Sequence, residues 1–331
     1  MTRGILERLA EGPVLGDGGY LLELEKRGYV QAGPFTPEVV IEHPDALAQL
    51  HSEFLRAGAE VLQTMTFYAS DDKLATVGLA GKVDEINRRA VKIARQLAAD
   101  ANALVAGNLS LTWAYHPEDS STADHVRELF DRQLQHQLEA GPPDFWIGET
   151  FSYLGEALLF VERATATGLP VMVTMSFEQP VPLSYEGDTP AECARRLRAA
   201  GANIVGVNCL NGPEQTLPIA IEMREAVEGF VAAQPVAYRT TAELPDFTAL
   251  PAFPYELDPL QVSRLEMADF ARGARDAGID YIGSCCGAVH AHVRAMAKVL
   301  DKLPSEERAW KSQSDRAMSA YEYHAHTETE V

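Results

Sequence analysis

Short, almost continuous apolar runs alternate with amphipathic segments along the chain. Continuous rather than alternating hydrophobicity predicts strands buried on both faces, as in a parallel sheet. The predicted strands are Val14–Gly19, Val61–Phe67, Ala103–Leu109, Phe145–Phe151, Val171–Phe177, Ile204–Cys209, Val236–Arg239 and Tyr281–Gly287. Helical patterns cover residues 44–57, 83–100, 122–140, 154–167, 190–200, 214–232, 262–277 and 289–302.

Several junctions from helix to strand carry a small residue followed by glycine, as in Ala57-Gly58 and Ala200-Gly201. Glycine beyond the last helical turn can adopt the left-handed conformation that satisfies the free carbonyls. Strict alternation of eight strands and eight helices predicts an α/β fold, the (β/α)₈ TIM barrel. The alternative is an open doubly wound sheet, but no G-x-G-x-x-G follows the first strand, where the sequence is Gly16-Asp17-Gly18-Gly19.

The pattern divides the chain into a barrel domain, residues 1–303, and a tail, residues 304–331, that is either disordered or in contact with another subunit. Two insertions, Thr112–Asp124 and Thr240–Asp258, follow the third and seventh predicted strands. Both are therefore expected on the carboxyl side of the strands, where barrel enzymes keep their active sites.

Composition narrows the classes of function. The chain has 331 residues, 46% of them hydrophobic, and a net charge of -20. Such an acidic protein is a poor partner for nucleic acid or an anionic membrane surface. No apolar run approaches the roughly 18 residues of a membrane span, and the first residues lack the pattern of a signal peptide. We expect a cytoplasmic homo-oligomer.

Three cysteines are the candidate residues for a metal site. Cys209 ends the sixth predicted strand, and Cys285 and Cys286 lie at the end of the eighth, so all three belong to one end of the barrel. Three thiolates with an open fourth position suit a catalytic Zn²⁺. Adjacent strand residues point to opposite faces, so the chain must bend there, and Gly287 permits this. The alternatives are packing cysteines or a vicinal disulfide; Cys193, on a predicted helix, is expected in the core.

Two groups of motifs carry a family resemblance. Gly206–Cys209 together with Gly283–Gly287 resembles the zinc motif of the homocysteine S-methyltransferases. N-terminal blocks resemble the betaine–homocysteine branch of that family, and the likeness runs from Gly4 to about Ala295. These blocks are Gly4–Leu9, Gly16–Tyr20, Leu24–Val30, Ala32–Pro34, Thr64–Tyr68 and Ala69–Lys73.

The resemblance implies a barrel in which Cys209, Cys285 and Cys286 hold Zn²⁺ and homocysteine supplies a fourth, sulfur ligand. A methyl group then passes from a small onium donor to homocysteine, giving methionine. By the same resemblance, the carboxylates of Asp17 and Glu149 take the ammonium group of homocysteine.

The resemblance places the methyl donor against aromatic rings, here Phe35, Phe67 and Tyr68, because a desolvated onium cation is attracted to ring faces. It also implies that Tyr68 approaches the zinc when substrate is absent. Phe35 and Thr150 stand where the betaine branch has Trp and Tyr, and Glu149-Thr150 resembles the branch that uses S-methylmethionine. The donor therefore stays open between glycine betaine, a larger betaine and a sulfonium such as S-methylmethionine or dimethylsulfoniopropionate.

Two other classes of function fit the sequence less well. A zinc hydrolase on this barrel draws ligands from a His-x-His on the first strand, which here offers Asp17 and no histidine. A non-catalytic barrel that binds quaternary amines would not need the three cysteines or the two carboxylates.

Overall fold

The computed structural model describes residues 3–31 and 33–303. Its strands, all parallel, are β1 (Val14–Leu15), β2 (Val61–Gln63), β3 (Leu104–Ser110), β4 (Phe145–Phe151), β5 (Val171–Met175), β6 (Ile204–Asn208), β7 (Phe230–Gln234) and β8 (Tyr281–Ile282). Each strand from β2 to β8 pairs with its sequence neighbour, and β8 pairs with β1. The backbone N–H of Glu60 donates to the Leu15 carbonyl at 2.9 Å, between the β1 and β2 edges. The predicted (β/α)₈ barrel is confirmed, and the doubly wound sheet is excluded.

The helices are α1 (Ile5–Glu11), α2 (Leu21–Lys26), α3 (Val39–Glu42), α4 (Pro44–Ala57), α5 (Asp71–Ala75), α6 (Val83–Ala101), α7 (Ser121–Ala140), α8 (Leu154–Thr165), α9 (Pro190–Ala199), α10 (Pro213–Ala226), α11 (Arg264–Asp276) and α12 (His290–Val299). Seven of the eight predicted helices agree with these bounds to within three residues at each end. The short helices α1, α2, α3 and α5 were not predicted. Across the described part of the chain, no helix is long and apolar enough to cross a membrane.

Helix α4 shows how local sequence sets these elements. Pro44 occupies the first turn, where its missing N–H costs nothing. Leu47, Leu50 and Phe54 recur at helical spacing and are fully buried. Gly58 ends the helix in the left-handed region at φ 109°, and a Cβ there would lie 2.7 Å from Ala297. Only glycine meets both demands.

The barrel interior has two layers. The amino-terminal layer is apolar, and Ile5 and Leu9 of α1 pack against it. The carboxyl layer is polar, and its members lie within three residues of the ends of their strands. They are Gln63, Asn108, Glu149, Thr174, Asn208 and Gln234. Buried polar groups need hydrogen-bond partners, so this layer is where a ligand site is expected.

The seventh strand was predicted wrongly. It runs over Phe230–Gln234, not Val236–Arg239, and the preceding helix ends at Ala226 rather than at residue 232. Gly229, at φ 100°, turns the chain into the strand, and the alanines of F-V-A-A had favoured helix. Val236–Arg239 follows Pro235 outside any strand and forms one isolated bridge, Tyr238 to Gln261.

Strands β1, β2 and β8 end four to five residues earlier than predicted. Beyond Gln63, for example, the Thr66 N–H donates to the Thr64 carbonyl at 2.8 Å, a tight turn that leaves the ladder. Both insertions lie on the carboxyl side as predicted. The second contains a short 3₁₀ turn, Phe247–Ala249, and another, Asp258–Leu260, begins at its last residue. The Phe247 N–H donates to the Leu210 carbonyl beside the β6 end. The predicted tail, 304–331, lies outside the described residues.

Candidate active site

The three cysteines at the carboxyl end of the barrel meet at one point. Cys209 follows β6 directly, and Cys285 and Cys286 lie three and four residues beyond the end of β8. Their sulfur atoms all lie within 4.8 Å of one another, and the Cys209 and Cys286 sulfurs are 3.8 Å apart. The predicted bend is present at Gly287, where φ is 78° and a Cβ would lie 2.4 Å from the Tyr238 ring. Cys193, in contrast, is fully buried in the core, as predicted.

These sulfur atoms fit a metal. Two thiolates of a tetrahedral zinc site, each about 2.3 Å from the ion, are about 3.8 Å apart. That is the separation of the Cys209 and Cys286 sulfurs. Three neighbouring thiols can lose their protons together only beside a cation, and soft sulfur donors select a soft or borderline metal such as zinc. The three cysteines can therefore hold a metal ion with a fourth position open.

Glu149 lies next to the cysteines in a network of amides. The Asn108 amide donates to Glu149 Oε1 at 2.5 Å, and the Asn208 amide donates to Oε2 at 2.9 Å. Asn208 also donates to the Thr150 hydroxyl and accepts the Thr150 N–H, at 2.9 and 2.8 Å. Burial raises the pKa of Glu149 to about 7, the Asn108 hydrogen bond lowers it, and the charge of Asp17 raises it further.

Asp17 lies deeper than predicted. Its carboxylate accepts the Tyr20 hydroxyl and, at 2.8 Å, the backbone N–H of Gln63. It is buried and does not line the cavity, although its neighbours Gly18 and Gln63 do. Burial raises the pKa of Asp17 to about 6, against hydrogen bonds from Tyr20 and Gln63 that lower it.

One cavity of about 360 Å³ opens above the cysteines and Glu149. The predicted aromatic residues Phe35, Phe67 and Tyr68 and the predicted Thr150 line it. The Phe67 and Tyr68 ring centroids are 4.3 Å apart, and Phe35 stacks on Phe253 at 6.1 Å. Of the predicted site residues, all but Asp17 are therefore on one cavity wall.

Unusual backbone conformations concentrate around this cavity. Eight non-glycine residues of the described chain have positive φ, and six of them line it. These six are Phe35, Tyr68, Trp113, Thr150, Cys209 and Leu210. A bulky residue in the left-handed region has a strained backbone. Such strain clusters at functional sites, where the surrounding structure holds the side chain in one position.

Several residues of the cavity were missed by the sequence analysis. Asn108 and Asn208 hold Glu149, and Trp113, Glu178 and Asp246 lie on the wall. The polar strand ends could have indicated the two asparagines, since an uncharged amide in an apolar strand needs a partner. Trp113 had no such signal, because it lies in an insertion without periodic structure.

The fold and the cysteine cluster define a class: a (β/α)₈-barrel protein with a candidate three-thiolate metal site at the carboxyl ends of its strands. The family model for homocysteine S-methyltransferase matches residues 14–300. The chain belongs to the homocysteine S-methyltransferase family, as the resemblance predicted.

Individual relatives agree with this assignment. The chain is 45% identical over 319 residues to betaine–homocysteine S-methyltransferase 1 of Bos taurus, covering 91% of this chain and 75% of that protein. It is 42% identical to the S-methylmethionine–homocysteine S-methyltransferase BHMT2 of Pongo abelii, covering 90% and 81%. Among solved structures, the metallated homocysteine methyltransferase MmuM from Escherichia coli aligns with a TM-score of 0.69 at 21% identity, covering 86% of this chain and 95% of that one. This likeness supports the barrel fold.

Proposed function

We propose that the protein transfers a methyl group from a small onium donor to homocysteine, giving methionine. The observation that carries the proposal is the meeting of three thiols at metal-ligand spacing with a buried carboxylate and aromatic rings on one cavity. Thiols alone would fit a structural metal, but a structural site is closed by a fourth protein ligand. Among the described residues, no fourth His, Cys, Asp or Glu side chain joins this cluster.

Cys209, Cys285 and Cys286 are proposed to hold Zn²⁺. When bound, zinc supplies a Lewis acid that lowers the pKa of a substrate thiol, so that its sulfur is a nucleophile at neutral pH. Glu149, held by two amides, offers its charged carboxylate to the homocysteine ammonium group. Asp17, which accepts the backbone N–H of Gln63, adds a second negative charge that attracts the same ammonium group. The amino acid is thereby oriented with its thiol toward the cysteines.

The reaction balances without a further reactant. The homocysteine sulfur forms a bond to a donor methyl carbon, and the bond from that carbon to the onium nitrogen or sulfur breaks, its electron pair staying on the donor. The donor leaves without its positive charge, and the thiol proton goes to solvent. Phe67 and Tyr68 offer ring faces that stabilise the onium cation in the ground state. The site must therefore gain most of its rate from aligning the two reacting atoms.

The charge of the cavity also favours a cationic donor. Three acidic residues, Glu149, Glu178 and Asp246, line it, and none of the described lining residues is basic. A sulfonium donor is the second candidate, because aromatic rings and acidic residues attract a sulfonium as well as an ammonium cation. The relative named for S-methylmethionine supports including it.

A donor screen tests the proposal. Zinc-loaded, reduced protein is incubated with homocysteine and, separately, glycine betaine, proline betaine, dimethylsulfoniopropionate and S-methylmethionine, and methionine is measured by mass spectrometry. Methionine from at least one donor is expected. Tight donor binding by calorimetry with no methionine from any donor would instead identify a non-catalytic amine-binding barrel. The cytoplasmic location and homo-oligomeric assembly stay predictions, the latter checked by sedimentation.

A further inference from the structure

Trp113 is the most exposed aromatic residue of the cavity wall. It lies in the loop between β3 and α7, with 65% of its surface exposed. Its φ of 65° is rare for so large a residue. Its ring meets the Tyr68 ring edge to face, with centroids 5.4 Å apart. An exposed indole held in a strained conformation beside the cavity calls for a cause other than packing.

A buried cation fixes this indole from below. The Lys73 ammonium lies 2.9 Å from the Trp113 ring centroid and 4.0 Å from the Tyr68 ring centroid. Lys73 is only 4% exposed, and within residues 3–31 and 33–303 it forms no ion pair. Burial lowers the pKa of Lys73 to about 8, which leaves the ammonium form in excess at neutral pH. The two rings are thus the main stabilising partners of this charge.

Lys73 is buried, so it covers the inner face of the Trp113 indole. The exposed area of Trp113 therefore belongs to the indole surface that Lys73 does not cover. The rings of Trp113 and Tyr68 already hold one cation, so their geometry suits cation–π contact. The remaining indole surface faces the cavity, where the acidic Glu178 and Asp246 also attract positive charge. Nothing else in the described cavity wall explains why this ring is kept in the open.

We propose that Trp113 is a specificity-determining residue that receives the methylated onium group of the donor, and that Lys73 is a positioning residue that fixes the indole. This inference rests on the proposed methyl transfer and adds a donor contact to it. Trp113 thereby supplies an indole from the loop between β3 and α7.

Kinetics with both substrates test the proposal. Trp113→Leu is expected to raise the donor KM about 3- to 30-fold, the range of one cation–π contact, and to leave the homocysteine KM within about twofold. The donor KM of Trp113→Phe should lie between those of the wild type and Trp113→Leu. Lys73→Met should raise the donor KM as well, and Lys73→Arg, which keeps a cation under the ring, should restore it. Tyr255→Leu removes an equally exposed aromatic outside this cavity and is the matched control.

Binding gives a second readout that does not depend on turnover. Donor titration should change the tryptophan fluorescence of the wild type but not of Trp113→Phe, which keeps Trp146 and Trp310. The tert-butyl analogue of glycine betaine, which lacks the positive charge, should bind more weakly than the donor, and Trp113→Leu should reduce that difference. An unchanged donor KM and preference in Trp113→Leu, with methionine still formed, would overturn the inference alone. Absence of methionine with every donor in the wild type would overturn the proposed reaction, and the fluorescence titration would still decide the role of Trp113.

Discussion

The Asn108 side-chain amide nitrogen lies 2.5 Å from Glu149 Oε1 and 2.8 Å from Gln63 Oε1, so it joins Glu149 to Gln63. Gln63 in turn donates its backbone N–H to Asp17. The opposite amide orientation would turn an oxygen toward the Glu149 carboxylate. The observed orientation, with the nitrogen toward Glu149, leaves Asn108 Oδ1 as a buried acceptor with no hydrogen-bond partner among the described residues. Asn108 lines the cavity, so the ammonium of homocysteine is the expected donor to this oxygen.

Replacing Asn108 with leucine, which has nearly the same size, should raise the homocysteine KM about 10- to 100-fold, the range for losing a hydrogen bond to a charged group. The donor KM should stay within about twofold, because the aromatic wall is unchanged. Gln133→Leu is the matched control: Gln133 is also buried, donates to the Leu129 carbonyl of its own helix, and does not line the cavity. It should lower the melting temperature without changing the homocysteine KM. Equal effects of both variants on that KM would contradict the role of Asn108.

Gly287 allows a second comparison of matched positions. A residue with a side chain at positive φ costs about 1 kcal/mol, and Gly287 and Gly78 share this cost at φ 78° and 75°. A Cβ at Gly287 would also meet the Tyr238 ring at 2.4 Å, whereas at Gly78 nothing lies within 4 Å. Gly287→Ala should therefore lower the melting temperature more than Gly78→Ala and should displace Cys286 and reduce zinc content. Zinc content is measured by atomic emission. If Gly287→Ala contains as much zinc as Gly78→Ala, the bend tolerates a methyl group.

The metal prediction uses the fourth cysteine as its control. Wild-type protein purified under reducing conditions should contain about one zinc per chain, and a chelator should lower its melting temperature, because a ligand bound only to the folded state stabilises it. Cys209→Ser should bind little zinc and lose the response to chelator. Cys193→Ser changes a thiol buried in the core and should keep the zinc. Equal zinc in the Cys209 and wild-type proteins would remove Cys209 from the ligand set.

The sequence was sufficient for the barrel and for the cysteine cluster, because both depend on local patterns. Apolar runs ending in Cys209 and in Cys285-Cys286 place those residues at the same edge of any parallel sheet. Tertiary contacts decided the rest. Strand β7 is set by pairing of Ala233 with Ile282, which overrides the helix preference of its alanines. The position of Trp113 depends on a distant lysine, which no spacing rule reveals.

The sequence also did not predict how deeply Asp17 is buried. The family resemblance predicted that its carboxylate takes the homocysteine ammonium, but β1 ends at Leu15, and Tyr20 and Gln63 enclose the side chain. A strand that ends four residues early, at Leu15 instead of the predicted Gly19, changes what surrounds the residues that follow it. Strand ends are thus where sequence patterns carry the least information, and in a barrel they are also where the site is built.

Glu156 links the stability of the Trp113 loop to pH. One oxygen of its buried carboxylate accepts both the backbone N–H and the hydroxyl of Thr112, at 2.7 and 2.6 Å. Burial raises the pKa of Glu156 to about 7 from an ordinary 4.5, against the Thr112 hydrogen bonds that lower it. A raised acid pKa means that the folded state binds a proton more tightly than the unfolded state. The stability from this group is complete below pH 4.5 and falls as pH rises through 7.

Glu156→Gln keeps an acceptor for Thr112 and removes the charge. The free energy of unfolding of the variant relative to wild type should therefore rise between pH 5 and pH 8, by roughly 2 to 3 kcal/mol at most. Urea unfolding at several pH values measures it, and Glu118→Gln, an exposed carboxylate of the same loop, controls for the loss of one charge. Because Thr112 precedes Trp113, the variant should also keep the donor KM of wild type at pH 8. A stability difference that does not change with pH would show that Glu156 titrates alike in the folded and unfolded chains.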